Sequence, residues 1–134
     1  MRSETIRVTT GHQETVHDLT PACERWAGEL GDGLLSVFVP HATAGVAVIE
    51  LGAGSDRDLL EVLGRLAPAD DRWRHRHGSP GHGRDHVVPA LVSPSLTVPV
   101  LGGRLQLGTW QSICLIDTNA DNSERTVRLS FLAG

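Results

Sequence analysis

The chain has 134 residues, which is enough for one compact domain and too few for two ordinary ones. Hydrophobic residues make up 40% and charged residues 21%, so a normal globular core is expected. The formal net charge of -4 argues against nucleic acid as a partner, because phosphate binding needs a basic surface. No apolar run could span a membrane, no signal peptide is visible, and the two cysteines are too few for a secreted disulfide scaffold. We therefore expect a soluble cytoplasmic protein with a single domain over residues 1–134.

Apolar periodicity, together with residues that typically begin or end a helix or a strand, predicts strands and helices in the first half of the chain. Thr20 is a suitable N-cap and Pro21 suits a first helical turn, so a helix is expected to start there. Leucines at helical spacing indicate a second helix, which begins at Ser55 or Asp56. We predict strands over 5–10, 34–40 and 46–51, and helices over 22–30 and from the second cap to Pro68.

The second half of the chain is predicted to be mostly strand. Gly102 and Gly103 mark a turn between two apolar runs, and the last segment alternates cleanly between apolar and polar residues. We predict strands over 96–100, 104–110, 112–117 and 125–131. Since the helices come early and a run of antiparallel strands comes late, the fold class is expected to be α+β.

The segment from Ala69 to Pro89 is an unusually long connection for a small domain, and such loops are often functional. It holds four of the seven histidines of the chain. Imidazole is a common ligand for borderline metals, so the cluster predicts a metal or proton-transfer site. Arginines interleave with the histidines and would suit a small anion. A solvated polar loop without a shared ligand is the alternative. The histidines are His75, His77, His82 and His86, and the arginines are Arg72, Arg74, Arg76 and Arg84.

Four further residues are candidates on physical grounds. His41 follows a buried strand and precedes small residues that would leave space beside its ring; the alternative is a turn histidine with a hydrogen-bonded ring. Glu50 ends an apolar strand, where an unpaired charge would be costly to bury, unless the side chain reaches solvent. Trp110 is typical of a core or an interface, and Gln111 could bind a ligand or hold backbone in place.

Two motifs resemble those of the YjbQ-like proteins, often named secondary thiamine-phosphate synthases. The segment His41–Val46, followed by Glu50, is similar to the HTTA…NE segment of that family. Residues Ser95–Val100, then Gly103 and Gly108–Gln111, resemble its C-terminal signature. The resemblance covers nearly the whole chain. It implies a compact α+β subunit with antiparallel sheets and two helices, which assembles into a homotrimer with a histidine-rich pocket near the subunit boundary.

The resemblance also selects among the histidines. His41, His75 and His86 match family positions and are the expected ligands of a divalent metal, with zinc as the expected ion. Three imidazoles and a solvent molecule would form an open catalytic site. His41, Glu50 and His86 are the expected catalytic residues, with Glu50 orienting a ligand histidine or acting as a base. His77 and His82 are expected to line the pocket at most.

The activity attributed to the family joins a hydroxymethylpyrimidine diphosphate to a thiazole phosphate and releases pyrophosphate. This chain lacks the arginine run that the family carries after position 117, so most of that phosphate-binding capacity is missing. A metal-dependent enzyme, either a transferase of this kind or a hydrolase, is the leading hypothesis. A non-catalytic trimeric module for a small anionic ligand and an interaction protein are the alternatives. The residues expected to contact a phosphorylated or anionic ligand are Thr43, Arg74, Arg84, Trp110, Gln111 and Arg125.

Overall fold

Eight strands form two antiparallel sheets in the computed structural model, which describes residues 1–134. The order of the five-stranded sheet is β1-β8-β3-β5-β6, and that of the three-stranded sheet is β2-β7-β4. No helix combines the length and apolar character needed to traverse a lipid bilayer. The elements are β1 (Arg2–Thr9), β2 (Thr15–Asp18), α1 (Thr20–Ala27), β3 (Gly33–Phe38), β4 (Ala44–Ile49), α2 (Ser55–Leu66), α3 (His82–Asp85), α4 (Val88–Leu91), β5 (Ser95–Leu101), β6 (Arg104–Leu105), β7 (Ser112–Asp117) and β8 (Glu124–Ala133).

The two sheets pack face to face, and helices cover the outer face of the smaller sheet. Strand β7 is buried on both faces, which explains its continuous apolar run. Ile113 and Leu115 point into the core between the sheets, together with Leu129 of β8. Cys114 and Ile116 point the other way. They pack in a second core with Leu63 of α2 and with Val88 and Val92 at α4. The predicted α+β class is confirmed.

Two local expectations differ from the structure. Thr20 does not cap α1: its backbone N–H donates to Asp18 Oδ1 at 2.9 Å, and its Oγ1 accepts from the Ile113 N–H at 2.9 Å. The threonine therefore ties α1 to β7, and the helix also ends earlier than predicted, at Ala27. Strand β6 has two residues rather than seven, because a turn closed by Gln111 Oε1 on the Gly108 N–H (2.7 Å) follows it.

The predicted loop over 69–89 contains two single-turn helices, α3 and α4. Gly81 precedes α3 with φ +82, a conformation that side chains rarely adopt, and a Cβ there would lie 2.8 Å from the Ala69 backbone. The glycine thus allows the chain to turn sharply back over itself into α3. This turn places two of the histidines, His82 and His86, at the two ends of one helical turn.

A buried ion pair joins the two sheets. Arg125 of β8 donates from Nε to Asp117 Oδ2 at 2.7 Å and from a terminal nitrogen to Oδ1 at 3.0 Å, and each side chain is 1% exposed. Thr10 Oγ1 and the Asn119 N–H also donate to the same carboxylate. Because Arg125 is enclosed and bound to Asp117, its guanidinium is held inside the fold, and its role as a ligand contact stays a prediction.

Removing one partner of this pair should be strongly destabilising, because the other charge is left buried without compensation. We expect Arg125→Ala to lower the free energy of unfolding in urea by about 3–5 kcal/mol. Arg128→Ala, at an exposed position on the same strand, is the matched control and should change it little. A loss in Arg125→Ala of less than about 1 kcal/mol, as for an exposed pair, would contradict this role.

Candidate functional site

Four imidazole rings converge on one point of the surface. One ring nitrogen from each of His75, His77, His82 and His86 lies within 4.8 Å of the others, and we call this group the four-histidine cluster. The Nε2 atoms of His82 and His86 are 3.0 Å apart, and those of His75 and His77 are 2.5 Å apart. His82 is buried, His86 is half-buried, and the other two are exposed. The cluster is therefore accessible from solvent through His75 and His77.

Local backbone geometry brings the four rings together. His82 and His86 are four residues apart across α3, so they lie on the same helical face. The segment carrying His75 and His77 crosses directly over Gly83 of α3, where a Cβ would lie 2.4 Å from the His75 carbonyl oxygen and 2.6 Å from Trp73 Cβ. Only a glycine permits this crossing, so position 83 fixes one pair of histidines against the other.

Asp85 anchors α3 to the end of β7. Its Oδ1 accepts from Thr118 Oγ1 at 2.8 Å and from Arg84 Nε at 3.1 Å, and its Oδ2 accepts from Asn119 Nδ2 at 2.9 Å. All four residues are buried. Arg84 also pairs with Glu14, so its guanidinium is held inside the fold. Arg84 holds the helix under the cluster through these pairs, and its role as a ligand contact stays a prediction.

His82 has a carboxylate partner on the side away from the cluster. Its Nδ1 lies 2.5 Å from Asp121 Oδ2, and the same oxygen accepts from the Ser79 N–H at 3.1 Å. These contacts, with the Ser79 N–H as the largest cause, hold the pKa of Asp121 below its usual range. The carboxylate is thus ionised beside the imidazole at neutral pH.

Burial lowers the pKa of His86, and the neighbouring rings of His75, His82 and His77 lower it further. Neutral imidazole is the form that binds a metal ion, so the close packing of the rings favours cation binding over protonation. The arrangement therefore has the donor chemistry of a metal centre.

Two cavities flank the cluster. A cavity of about 310 Å³ is lined by His75, His77 and His82, with only one hydrophobic residue among its lining. A second, of about 420 Å³, lies against His75, His86 and Arg74. Arg72 is held by Asp70 and Arg76 donates from Nε to the Trp73 carbonyl oxygen, whereas Arg74 is exposed and forms no hydrogen bond or ion pair within the chain. Arg74 is the guanidinium most available to a ligand.

Comparison with known proteins shows the family. The family model described as "UPF0047 protein YjbQ-like" matches residues 4–134. The chain belongs to the UPF0047 (YjbQ-like) family. A UPF0047 protein of Mycobacterium tuberculosis is 58% identical over 134 residues and both chains are covered completely. A crystal structure of a hypothetical protein from Aeropyrum pernix K1 is similar with a TM-score of 0.90 and 34% identity, with both chains fully covered. The crystal structure of a YbjQ-like protein of unknown function from Sulfolobus solfataricus P2 is also similar, with a TM-score of 0.91 and 25% identity. The match covers 99% of this chain and 97% of that protein's chain.

Family membership confirms the resemblance. The geometry of the histidines indicates the functional site. The UPF0047 subunit brings together two of the three predicted ligands, His75 and His86. The third, His41, lies apart: its Nε2 accepts the Thr126 N–H at 2.9 Å and lies 3.1 Å from Thr126 Oγ1. His41 is not part of the four-histidine cluster, whose other two members are His77 and His82, the histidines that the resemblance had reduced to pocket lining.

The small residues after His41 do not leave a vacant space. A Cβ on Gly45 would lie 2.2 Å from the Val92 carbonyl oxygen, so the end of α4 packs there. Thr43 is buried in the same segment. Glu50 is exposed at the end of β4 and has no hydrogen bond or ion pair to the cluster, which matches the solvent alternative.

The Gly108–Gln111 turn does not line either cavity beside the cluster. Trp110 is 72% exposed there, and Gln111 holds the turn together through its bond to Gly108. The subunit therefore keeps these two residues, predicted as ligand contacts, away from the histidines. Asn119 and Asp121 are the polar neighbours of the cluster that the sequence patterns did not indicate.

His41 should make stability depend on pH. Burial, and then the nearby Arg125 guanidinium, lower the pKa of His41 below its ordinary value. The unfolded chain therefore binds this proton more readily than the folded one, so stability falls as pH drops through the unfolded value of about 6.5 and levels off below the folded one. We expect His41→Gln to reduce the slope of unfolding free energy against pH between pH 7.5 and 5.

The control for this measurement is His17→Gln, an exposed histidine on β2 without a side-chain hydrogen bond. We expect the slope of His41→Gln to be smaller than that of this control. Identical slopes in His41→Gln and wild type would show that the imidazole accepting the Thr126 N–H is not the titrating group.

Proposed function

We propose that this UPF0047 protein is a cytoplasmic, metal-dependent enzyme that acts on a small anionic molecule. The observation that carries the proposal is the convergence of four imidazole nitrogens within 4.8 Å at the edge of two cavities. Imidazole nitrogen is a preferred ligand for zinc, so zinc is the proposed ion. The two free, buried cysteines suit a reducing compartment.

The donor atoms fit a zinc ion. Two ligand nitrogens bound at tetrahedral geometry lie about 3.3 Å apart, given Zn–N bonds of 2.0–2.1 Å. The 3.0 Å separation of His82 and His86 Nε2 is close to this value. His75 and His77 are exposed, so their rings can adjust by rotation. A divalent metal held here would supply Lewis acidity to a substrate oxygen.

We assign three of the four rings as ligands: His75, His82 and His86. Ring-centroid distances do not choose between His75 and His77, since His75 lies nearer to His86 (4.1 against 6.1 Å) and His77 lies nearer to His82 (4.5 against 5.7 Å). We choose His75 because it borders both cavities, while His77 borders only one. Three imidazole ligands leave an open position, as in catalytic zinc sites, whereas four would close it. His77 then remains free to accept or donate a proton at Nε2.

The arginines favour a substrate with a single anionic group. Arg74 is free beside the second cavity, but Arg84 and Arg125 are buried in ion pairs. A thiamine-phosphate synthase-like reaction would have to hold both a diphosphate and a phosphate, and one free guanidinium suits a single phosphate better. We therefore favour a metal-dependent hydrolase over the transferase, with the non-catalytic anion-binding module as the second candidate.

We also retain the homotrimer as a proposal. Exposed apolar side chains on the outer face of the five-stranded sheet support it: Leu34 pairs with Leu132 across the strands and with Pro99 on the other side, and Leu101 is exposed on the same strand as Pro99. Contiguous apolar surface of this kind is typical of an interface.

Metal analysis tests the ligand assignment. We expect the purified protein to hold about one zinc per subunit, as at a three-histidine site. His82→Ala and His86→Ala should lose it, because each removes a ligand, while His77→Ala should keep it. His12→Ala changes a histidine outside the cluster and serves as the control. Zinc-free wild-type protein that also fails to take up added zinc would refute the metal centre.

Arg74→Gln tests the substrate class. A screen of phosphate monoesters, with the pyrimidine diphosphate and thiazole phosphate pair included, should reveal turnover by the zinc-loaded protein. In Arg74→Gln we expect kcat/KM to fall at least about tenfold, the value of a lost charge-assisted hydrogen bond of 1.5–3 kcal/mol. Arg57→Gln, an exposed arginine on α2, is the matched control. Ligand-induced thermal stabilisation without any turnover would instead support the binding module.

A further inference from the structure

We infer that Asp121 is a positioning residue of the four-histidine cluster: it fixes the tautomer and orientation of His82, so that the Nε2 lone pair faces the metal position. The inference rests on the proposed metal centre, but it concerns a residue outside the ligand set. Carboxylates that accept the second ring N–H of a ligand histidine raise its basicity and hold its ring in place. The geometry around His82 has this form.

The contacts of His82 determine which ring nitrogen carries the proton. Nδ1 lies 2.5 Å from Asp121 Oδ2, and an ionised carboxylate oxygen can only accept a hydrogen bond. A bare Nδ1 lone pair would therefore face oxygen lone pairs at close range, which is repulsive. The Nδ1–H tautomer removes this conflict, since the ring then donates to Asp121. Its Nε2 is left unprotonated, 3.0 Å from His86 Nε2.

Asn119 does not compete for this proton. Its Nδ2 lies 3.2 Å from His82 Nδ1, but the amide nitrogen is a donor and cannot accept the ring proton; one of its two N–H groups donates to Asp85 Oδ2 at 2.9 Å. Asp121 is thus the only acceptor within reach of Nδ1. Because the ionised carboxylate is nearer, at 2.5 Å, than the neutral amide donor, it favours the Nδ1–H tautomer.

The position of Asp121 is set by the rigid end of β7 rather than by a mobile loop. Asn119, which is fully buried, accepts at Oδ1 from the Asp121 N–H at 3.1 Å, and from the Asn122 N–H and side-chain amide at 3.0 and 3.1 Å. This turn directs the carboxylate of Asp121 toward the histidine segment. There Oδ2 also accepts the Ser79 N–H, so one oxygen joins the turn, the segment and the ring.

Gly78 provides independent support, because a residue without a side chain lies next to the contact between Asp121 and His82. A Cβ at position 78 would lie 2.5 Å from Asp121 Oδ2 and 2.9 Å from His82 Nδ1, and its φ of +74 also disfavours a side chain. The contact between carboxylate and imidazole therefore lies directly against a backbone position that cannot carry a side chain. The packing encloses the Asp121–His82 pair as a unit.

Two measurements on purified protein test the inference. The first is the zinc dissociation constant, obtained by competition with a chelating dye. We expect Asp121→Ala to weaken zinc binding by about 10–100-fold, the usual effect of removing a partner of a ligand histidine. Asp121→Asn keeps the size and shape of the side chain, and its amide oxygen can still accept the Ser79 N–H. This variant therefore removes the negative charge while it preserves the turn. Asp71→Asn removes one exposed carboxylate from the lining of the same cavity and is the electrostatic control.

The second measurement needs no metal. Nitrogen-15 chemical shifts of His82 in the metal-free protein should show a single Nδ1–H tautomer in wild type and in Asp71→Asn. In Asp121→Ala the two tautomers should mix. Unchanged His82 shifts in this variant would overturn the role of Asp121. Zinc affinity within about twofold of wild type would overturn it as well, because removing the carboxylate partner of a ligand histidine should cost at least about tenfold.

The two measurements also separate this inference from the proposed function. If wild-type protein binds no zinc, the metal centre fails whatever the variants do, and the tautomer experiment alone decides whether Asp121 orients His82. If wild type binds zinc and Asp121→Ala binds it equally well, the metal centre stands and the positioning role is refuted. Urea unfolding of each variant confirms that the fold is retained before either result is interpreted.

Discussion

The carboxylate of Asp85 is the contact on which the site depends. It accepts hydrogen bonds from Thr118, Asn119 and Arg84, and so attaches the single turn of α3 to the end of β7. A four-residue helix has no stability of its own, because nucleation is costly and few backbone bonds are gained. Hydrogen bonds from Thr118 and Asn119, at the buried end of β7, hold the helix in place. This attachment fixes His82 and His86 to the two-sheet core.

The buried charges explain why so few arginines remain available for a ligand. Arg125 joins the sheets through Asp117, and Arg84 supports α3 through Asp85 and Glu14. A buried guanidinium without a carboxylate would be strongly unfavourable, so these side chains are committed to the fold. Arg74, exposed beside the second cavity, is left for an anion. The site therefore combines four imidazole rings with the guanidinium of Arg74, which has no partner within the chain.

The sequence predicts the fold better than the site, and the reasons are physical. Apolar and polar residues alternate in β8, because successive side chains of a strand point to opposite faces and one face lies against the core. The apolar run of β7 is continuous because both of its faces are buried. Strand β2 has only four residues and no buried side chain, so no such period exists there. The cluster depends instead on Gly83 and on a turn at Gly81, where the chain doubles back. No spacing rule predicts which rings then meet, although the four-residue spacing of His82 and His86 is a signal that they share a helical face.

The predicted segment therefore contains the four-histidine cluster, but the predicted ligand set and the cluster differ in their members. The resemblance favoured His41, but within the subunit this ring accepts a backbone N–H beside the core instead of joining the cluster. His82, which the resemblance set aside, is the most enclosed of the four and the one with a carboxylate partner. Its partner Asp121 lies 39 residues away in the chain, so only the three-dimensional fold reveals the pair.

Anomalous diffraction at the zinc edge from crystals of the zinc-loaded protein would locate the metal. We expect one anomalous peak per chain, within bonding distance of nitrogens from His75, His82 and His86, with His77 Nε2 not bonded to it. A peak at His41 without the cluster, or a zinc-loaded crystal with no peak at the cluster, would contradict this assignment.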